Sequence, residues 1–338
     1  RDRSPSRGLG DVYKRQIMDI ILKISQELMC RQEQVAAAVK LIDEGCTIPF
    51  IARYRKEATG SLNDEQLRTL DERLTYLRGL EDRKEKVIAS IEEQGMLTDE
   101  LKKSILAAET LVAVEDLYRP YKPKRKTRAT IAQSKGLTGL ANIISLQMTN
   151  KPIPEEALAY VSEEKEVHST EEAIAGAMDI IAESISDNAE YRTEIRSLTM
   201  DKGILMTTAK DPEAESVYEM YYDFSTPVRK MTGYRTLAIN RGEKEKFLSV
   251  KIEAPVDEIT GYLIRQVIVR DNPNTNDILR NTITDSYERL IAPSIERDIR
   301  SSLTEAAEDG AIKVFGSNLK QLLMQLQQYP LSAQQNYT

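Results

Sequence analysis

The sequence predicts a mainly α protein that is multi-helical, with one long helix and minor β structure. Apolar residues recur at spacings of three and four along most of the 338 residues, which is the period of helices that bury one face. Only the stretch FLSVKIE at 247–253 alternates apolar and polar residues, which indicates one short strand. Prolines between the helical runs mark connectors, at Pro120, Pro123, Pro152 and Pro154.

The longest helix is predicted between Asn63 and Gly95. Its apolar stripe consists of residues at helical spacing, namely Leu67, Leu70, Leu74, Leu77, Val87, Ile88 and Ile91. Asn63 and Gln66 have the spacing of a capping box, which favours a helix start at this point. At ~1.5 Å per residue the helix would be roughly 45 Å long and would span a whole domain.

Further helices are predicted on both sides of the long one. Residues 19–45 carry two short amphipathic patterns, and a glycine is placed to end the second. Thr98 and Ser169 are suitable N-caps because acidic residues follow each of them in the first turn. Pro293 indicates another helix start.

Both ends of the chain depart from these patterns. Residues 1–16 are basic and aperiodic and resemble translated adaptor sequence, so we expect an unstructured artefact before a native start at Met18. Residues 325–338 are polar and without a period, which predicts an aberrant or disordered tail. Between the two ends we expect a helical domain at 17–200 and a second helical segment at 201–324.

Composition limits the class of protein. Hydrophobic residues make up 41% of the chain, which is enough to bury a sizeable core. No apolar stretch is long enough to cross a bilayer and no secretory segment is recognisable, so the cytoplasm is the expected compartment. Cys30 and Cys46 have no CxxC partner, which favours packed, reduced thiols over a disulfide or a zinc site.

The sequence contains no recognisable catalytic motif. His168, the single histidine, precedes a predicted helix cap and has no evident catalytic partner. There is no GxxxxGK[ST] motif, and Gly136 and Gly139 follow no predicted strand, so a phosphate-cradling loop is not indicated. Adjacent carboxylates such as Glu171 and Glu172 suit solvated helix faces. We therefore expect no catalytic residue, metal, cofactor or small-molecule substrate.

One segment stands out by its charge. The stretch RPYKPKRKTR at 119–128 has six basic residues and no acidic one, and removing those six charges from the net −7 leaves −13 for the rest of the chain. Tyr118 and Tyr121 are placed among the cations, where they could stack on bases, as in proteins that bind single strands. The candidate phosphate contacts are Lys122, Lys124, Arg125, Lys126 and Arg128. The alternative is a solvated interdomain loop whose charges complement the acidic helices around it.

Two smaller basic clusters are weaker candidates for nucleic-acid contacts. Arg53, Arg55 and Lys56 lie in FIARYRKEATG next to an acidic residue, and for this cluster a structural role is the favoured interpretation. The other cluster consists of Arg229, Lys230 and Arg235. A helix-turn-helix interpretation would place side chains near Arg235 in a groove of DNA, although the sequence singles out no recognition helix.

Four long blocks resemble the Tex family of bacterial transcription accessory proteins. They are TIPFIARYRKEATGSL at 47–62, DLYRPYKPKRKTRATIA at 116–132, YYDFSTPVRKMTGYRTLAINRGEKEKFLSVKI at 221–252 and RLIAPSIERDIRSSLTEAAEDGAIKVFGSNLKQLL at 289–323. The resemblance covers residues 18 to about 324 and implies a helical region with a helix-turn-helix-like element. It also implies a larger protein that continues with RNase H-like, helix-hairpin-helix and OB-fold domains, for which this chain has no matching positions.

Two functions of different classes follow from these observations. The resemblance favours a non-catalytic region of a transcription accessory protein that binds RNA, with DNA as a second candidate, and acts with the transcription machinery. The alternative is a protein–protein interaction scaffold that docks on RNA polymerase or braces the missing domains without binding nucleic acid itself. A nuclease would need a cluster of metal-binding carboxylates, which the sequence does not indicate.

Overall fold

The computed structural model describes residues 20–123 and 126–327. The predictions for residues 1–16, for Lys124 and Arg125 and for residues 328–338 concern positions outside this part of the chain. The chain divides into two compact units, one ending at Tyr121 and the other beginning at Lys122. This division falls inside the predicted 17–200 domain, and the boundary near residue 200 stays a prediction.

The first unit is entirely helical in its described part. Its helices are α1 (residues 20–27), α2 (Gln32–Asp43), α3 (Ile48–Tyr54), α4 (Asp64–Glu93), α5 (Asp99–Ala107) and α6 (Leu111–Tyr118). A 3-10 turn follows at Arg119–Tyr121.

Helix α4 is the long helix that the apolar spacing predicts. The Asn63 side chain accepts a hydrogen bond from the Gln66 backbone N–H at 2.8 Å, and the Gln66 side chain accepts one from the Asn63 N–H at 3.0 Å. The predicted capping box is therefore confirmed. One face of α4 is buried over its whole length, at Leu67, Leu70, Leu74, Leu77, Leu80, Lys84, Val87 and Ile91.

The buried face of α4 organises the core of the first unit. Helices α2, α3, α5 and α6 all pack against it. Lys84 is the one charged residue on this face, and its ammonium group donates to the Leu106 carbonyl at 2.9 Å and to Glu81 Oε1 at 2.8 Å. The lysine stem thus lies in the core while the charge is satisfied at its edge.

The second unit begins with a cluster of helices around α10. Its helices are α7 (Arg128–Ser134), α8 (Thr138–Leu146), α9 (Ile153–Ala157), α10 (Thr170–Asp187), α11 (Ala189–Lys202), α12 (Gly233–Lys244), α13 (Val256–Val267), α14 (Asn276–Asp285) and α15 (Ala292–Gln327). Helix α10 contacts α7, α8, α9 and α14. A Cβ atom at Gly176 of α10 would lie 2.4 Å from Leu137 Cδ1, so only glycine allows this close approach.

Three antiparallel strands complete the second unit. They are β1 (Ile204–Ala209), β2 (Asp223–Pro227) and β3 (Leu248–Glu253), in the order β2-β1-β3. Leu205 of β1 pairs with Thr226 of β2 and with Ile252 of β3. The single predicted strand is confirmed as β3, whereas the expectation that it stands alone is wrong.

Contacts between residues far apart in the sequence hold the first part of α15 against α11, β3 and α12. Arg192 of α11 is fully buried, and its guanidinium donates to Ser294 Oγ at 2.7 Å. The Glu296 side chain accepts from the Ile252 N–H of β3 at 2.9 Å. Gly233 of α12 approaches the Ala307 Cα so closely that an added Cβ would lie 3.3 Å from it. From residue 308 to residue 325, by contrast, α15 is exposed on all sides.

The block around Arg235 has one helix, α12, between β2 and β3. Elsewhere, α7 and α8 are joined by only three residues that include Gly136, a connection length typical of helix-turn-helix elements. The exposed residues of α8 include no cation, however, so the helix-turn-helix-like element stays a prediction. In the described part of the chain, no helix has the length and apolar character needed to cross a bilayer.

If α4 organises the first unit, removing a side chain from its buried face should destabilise that unit. Leu70 is fully buried, so Leu70→Ala should lower the free energy of unfolding by about 2–5 kcal/mol. Leu106 of α5 is 49% exposed, and Leu106→Ala should change it by less than about 1 kcal/mol. Urea denaturation followed by circular dichroism measures both, and equal effects of the two changes would argue against this packing.

Candidate nucleic-acid interface

The basic segment before α7 places several cations at the surface. Lys122 and Lys126 are exposed, and Arg128 is exposed at the first position of α7. Thr127 caps this helix by accepting a hydrogen bond from the Thr130 N–H at 3.1 Å. The cap determines where the irregular segment ends and α7 begins.

Arg128 differs from the two lysines because carboxylates surround it. It lines an open groove of about 670 Å³ together with Lys135, Glu166, His168, Glu172 and Asp179. A hydrogen bond from Arg289 lowers the pKa of the nearby Asp285 carboxyl group, and the charges of Arg289 and Arg128 add to this effect. Part of the charge of Arg128 is therefore balanced within the unit, which makes it a weaker phosphate contact than Lys122 or Lys126.

The two tyrosines of this segment are not equivalent, and one of them is not available for stacking. The Tyr118 ring is 8% exposed, its hydroxyl lies 3.0 Å from Ser90 Oγ, and the Arg83 guanidinium lies 5.5 Å from its ring centre. The expectation that Tyr118 stacks on bases is therefore wrong, because its ring belongs to the core of the first unit. Tyr121 is half-buried.

The cluster at the end of α3 is more exposed than the sequence suggests. Arg53, Arg55 and Lys56 all have exposed side chains. We favoured a structural role for this cluster, and in the described structure it is the backbone carbonyls of Arg55 and Lys56, not the charged side chains, that make structural hydrogen bonds. The Thr59 hydroxyl donates to the Arg55 and Lys56 carbonyls at 3.3 Å each, and the Ser61 N–H donates to the Lys56 carbonyl at 2.8 Å.

Two aromatic rings accompany these cations. Phe50 is 40% exposed and Tyr54 is 70% exposed, and their ring centres lie 5.4 Å apart with the ring planes tilted by 43°. The Arg55 guanidinium lies 5.8 Å from the centre of the Phe50 ring. We refer to these five residues as the α3 tip: Phe50, Arg53, Tyr54, Arg55 and Lys56.

The three residues of the remaining predicted cluster differ in their exposure. Arg229 and Lys230 are exposed on a 3-10 turn between β2 and α12. Arg235 is half-buried, and its guanidinium lies 5.6 Å from the ring centres of both Phe224 and Tyr234. Those ring contacts occupy Arg235, so the exposed pair is better placed to meet a phosphate.

Several arginines of the helices are paired with carboxylates, whereas the described candidate cations are not. Arg73 binds Glu27 at 2.6 Å, and the carboxylate bound in this way has a lowered pKa because of the hydrogen bond from Arg73. Similar ion pairs join other helices, namely Arg78–Asp43, Arg83–Glu115 and Arg289–Asp179. Within residues 20–123 and 126–327, none of the candidate cations has a carboxylate partner within 4.0 Å.

Among the described residues, the single histidine and the two cysteines show no arrangement typical of a catalytic site. The backbone N–H of His168 donates a hydrogen bond to the Glu172 side chain at 2.8 Å. Glu172 lies in the first turn of α10, so this contact helps to cap that helix. Cys30 and Cys46 are free and half-buried, and burial raises the pKa of the Cys30 thiol. In the described segments, no three His, Cys, Asp or Glu residues are grouped so that they could hold a metal ion.

Sequence reasoning overlooked the exposed rings of the α3 tip. The signal was present, because Phe50 and Tyr54 are spaced four apart and therefore share a helix face, with Arg53 next to them. The pattern did not show that this face points away from the core. Burial of Ile51, on the other side of the same short helix, determines that orientation.

Two known protein families match most of the described chain. Residues 18–92 match the Tex-like protein N-terminal domain, and residues 148–315 match the Tex central region-like family. The α3 tip lies within the first match and the Arg229–Arg235 cluster within the second.

Relatives over about nine tenths of the chain belong to bacteria and to animals. The chain is 48% identical over 306 residues to "Uncharacterized protein YdcI" of Bacillus subtilis, with 90% of this chain and 43% of the relative covered. It is 40% identical over 317 residues to "Transcriptional accessory protein Tex" of Neisseria gonorrhoeae, with 91% and 41% covered. It is 30% identical over 324 residues to human "S1 RNA-binding domain-containing protein 1", with 90% and 32% covered.

The chain thus spans less than half the length of each of these relatives. The two family matches follow each other in the order that the sequence blocks predict, and together they cover both compact units. The chain belongs to the Tex family.

Proposed function

We propose that this chain is a non-catalytic, nucleic-acid-binding scaffold region of a cytoplasmic transcription accessory protein. It would bind RNA, and DNA as a second ligand, through phosphate contacts and act with the transcription machinery. One observation carries this proposal: in a chain of net charge −7, every described candidate cation except the half-buried Arg235 is exposed, and none of them has a carboxylate partner within 4.0 Å among the described residues. Two relatives, named as a transcriptional accessory protein and an S1 RNA-binding domain-containing protein, support the same class of function.

The charge of the whole chain limits how such binding can work. A polyanion is repelled by the acidic surface as a whole, so attraction must come from short-range contacts at the exposed cations. Lys122, Lys126, Arg229, Lys230 and the cations of the α3 tip are the groups that can make them. Few contacts at a time give modest affinity, which suits one region of a larger binding protein.

The scaffold alternative is favoured by a different observation. The last part of α15 exposes a row of apolar side chains at helical spacing, including Ile312, Phe315, Leu319 and Leu322. An exposed apolar stripe of this kind is typical of a surface that packs against protein. If nucleic acid does not bind, docking to another protein or domain becomes the better description of the chain.

The first test of the proposal is the salt dependence of binding. The 338-residue chain should bind a fluorescently labelled single-stranded RNA, and log Kd should rise with log salt by about 0.7 to 0.9 per phosphate contacted. With about three to five contacts, log Kd should therefore rise by roughly 2 to 5 for each tenfold increase in salt concentration.

Paired variants locate these contacts. Lys122→Glu/Lys126→Glu should weaken binding and flatten the slope, while the melting temperature stays unchanged because exposed charges contribute little to folding. Lys102→Glu/Lys103→Glu removes the same charge from exposed positions on α5 and should have a smaller effect. No measurable binding of the unaltered chain at low salt would contradict the proposal and favour the scaffold.

The non-catalytic part of the proposal has its own test. Because sequence and geometry provide no cluster of metal-binding side chains among the described residues, incubation with labelled RNA or DNA and Mg²⁺ or Mn²⁺ should give no cleavage above background. Denaturing gel electrophoresis measures this. Cleavage that disappears when one aspartate or glutamate of this chain is replaced would show that the chain is an enzyme.

A further inference from the structure

The rings of the α3 tip differ from the other aromatic residues that lie near arginines. The Tyr118 ring is buried under Arg83, and the Arg235 guanidinium lies against the Tyr234 ring. Tyr54 is 70% exposed, and among the described residues the one ring contact that it makes is with Phe50. A flat ring face is therefore available to a ligand at the α3 tip.

The cations of the α3 tip lie next to that ring in the sequence and on the surface. Arg53 and Arg55 flank Tyr54, and Lys56 follows them at the start of the turn after α3. The Arg55 guanidinium is close to the Phe50 ring, whereas Arg53 and Lys56 have no described ion pair and no described ring contact. The tip thus combines one open ring, one supporting ring and two unengaged positive charges.

The backbone holds this arrangement in place. The turn from Arg55 to Ser61 is closed by the Thr59 hydroxyl, which is fully buried, and by the Ser61 N–H. The Gln34 side chain of α2 donates to the Gly60 carbonyl at 2.7 Å. Gly60 has a φ of +59°, which favours glycine, and a Cβ atom there would lie 2.8 Å from Gln34 Nε2 and would force that side chain to move. A turn fixed in this way loses little conformational entropy when a ligand binds.

An exposed ring beside cations suits one class of nucleic acid better than the other. In a single strand each base can offer a face to the ring while the neighbouring phosphates meet the cations. In a duplex the base faces are stacked on one another, and only the phosphates remain available. The ring contributes to binding only in the first case.

We propose that the α3 tip is a stacking site for single-stranded nucleic acid. A base stacks on Tyr54, Phe50 supports that ring from the side, and Arg53 and Lys56 contact the adjacent phosphates. This inference rests on the proposed nucleic-acid-binding function and adds the strand preference and the residues that produce it.

The absence of tryptophan from the whole sequence allows a direct test of stacking. In the chain carrying Tyr54→Trp, the single indole should lose fluorescence when single-stranded RNA is added, and duplex RNA should quench it much less. Met96→Trp is the matched control: this residue is 57% exposed in the same unit, beyond the end of α4, and its indole should not be quenched. Poly-glutamate tests whether any polyanion has the same effect.

A second set of variants measures the strength of the contact. Tyr54→Leu keeps an apolar side chain but removes the ring, and it should weaken single-strand binding at least about fivefold, since a stacked base contributes about 1–3 kcal/mol. Tyr54→Phe keeps the ring and should retain the affinity. Duplex binding should be unchanged in both. Arg53→Gln/Lys56→Gln should weaken the binding of both single-stranded and duplex nucleic acid. The control Lys102→Gln/Lys103→Gln should weaken neither as strongly.

The outcomes separate this inference from the broader proposal. Salt-dependent binding without quenching at position 54, and with no effect of Tyr54→Leu, would overturn the stacking site and leave the proposed function standing. Equal quenching by poly-glutamate would also overturn it, in favour of an acidic peptide as the ligand. No binding of the unaltered chain at low salt would overturn both.

Discussion

Pairing of opposite charges along the helices determines where a polyanion can meet this acidic chain. Several arginines that project from helices are held by carboxylates of neighbouring helices, as in Arg73–Glu27 and Arg78–Asp43. Each such pair helps to hold two elements together and leaves no net charge for a ligand. The candidate cations lie mainly where the chain leaves a helix, at the α3 tip, at Lys122 and Lys126, and on the turn with Arg229. The proposed phosphate contacts are therefore on short segments at the ends of helices in each of the two units.

The helices in turn fix the geometry of those segments. In the first unit the buried stripe of α4 provides the surface on which α2 and α3 pack. Because Ile51 is buried on one side of α3, Phe50 and Tyr54 are directed outwards, and a side chain of α2, Gln34, holds the turn that follows. The exposed rings are thus a consequence of how a seven-residue helix is anchored.

Periodic features of the fold could be predicted from the sequence, whereas features that depend on distant partners could not. The limits of α4, its capping box and the strand β3 follow from local spacing, which acts over a few residues. Strands β1 and β2 were missed because ILMTTA and DFSTP are short and hardly alternate, and they form strands by pairing across the sheet. The burial of Tyr118 depends on Ser90 and Arg83, 28 and about 35 residues away along the chain, and no local pattern reveals such a contact.

The same reasoning explains why the candidate site is harder to predict than the fold. Tyr54, Tyr118 and Tyr234 all lie near arginines in the sequence, yet the Tyr118 ring is buried and an arginine guanidinium lies against the Tyr234 ring. Tyr54, by contrast, is 70% exposed and has no described arginine over its ring. Composition shows which residues could stack, but only the three-dimensional neighbours show which ring is free. In a chain of net charge −7, a few phosphate contacts alone give weak binding that salt easily disrupts. Stacking is much less sensitive to salt, so a single open ring can decide both the affinity and the preference for unpaired strands.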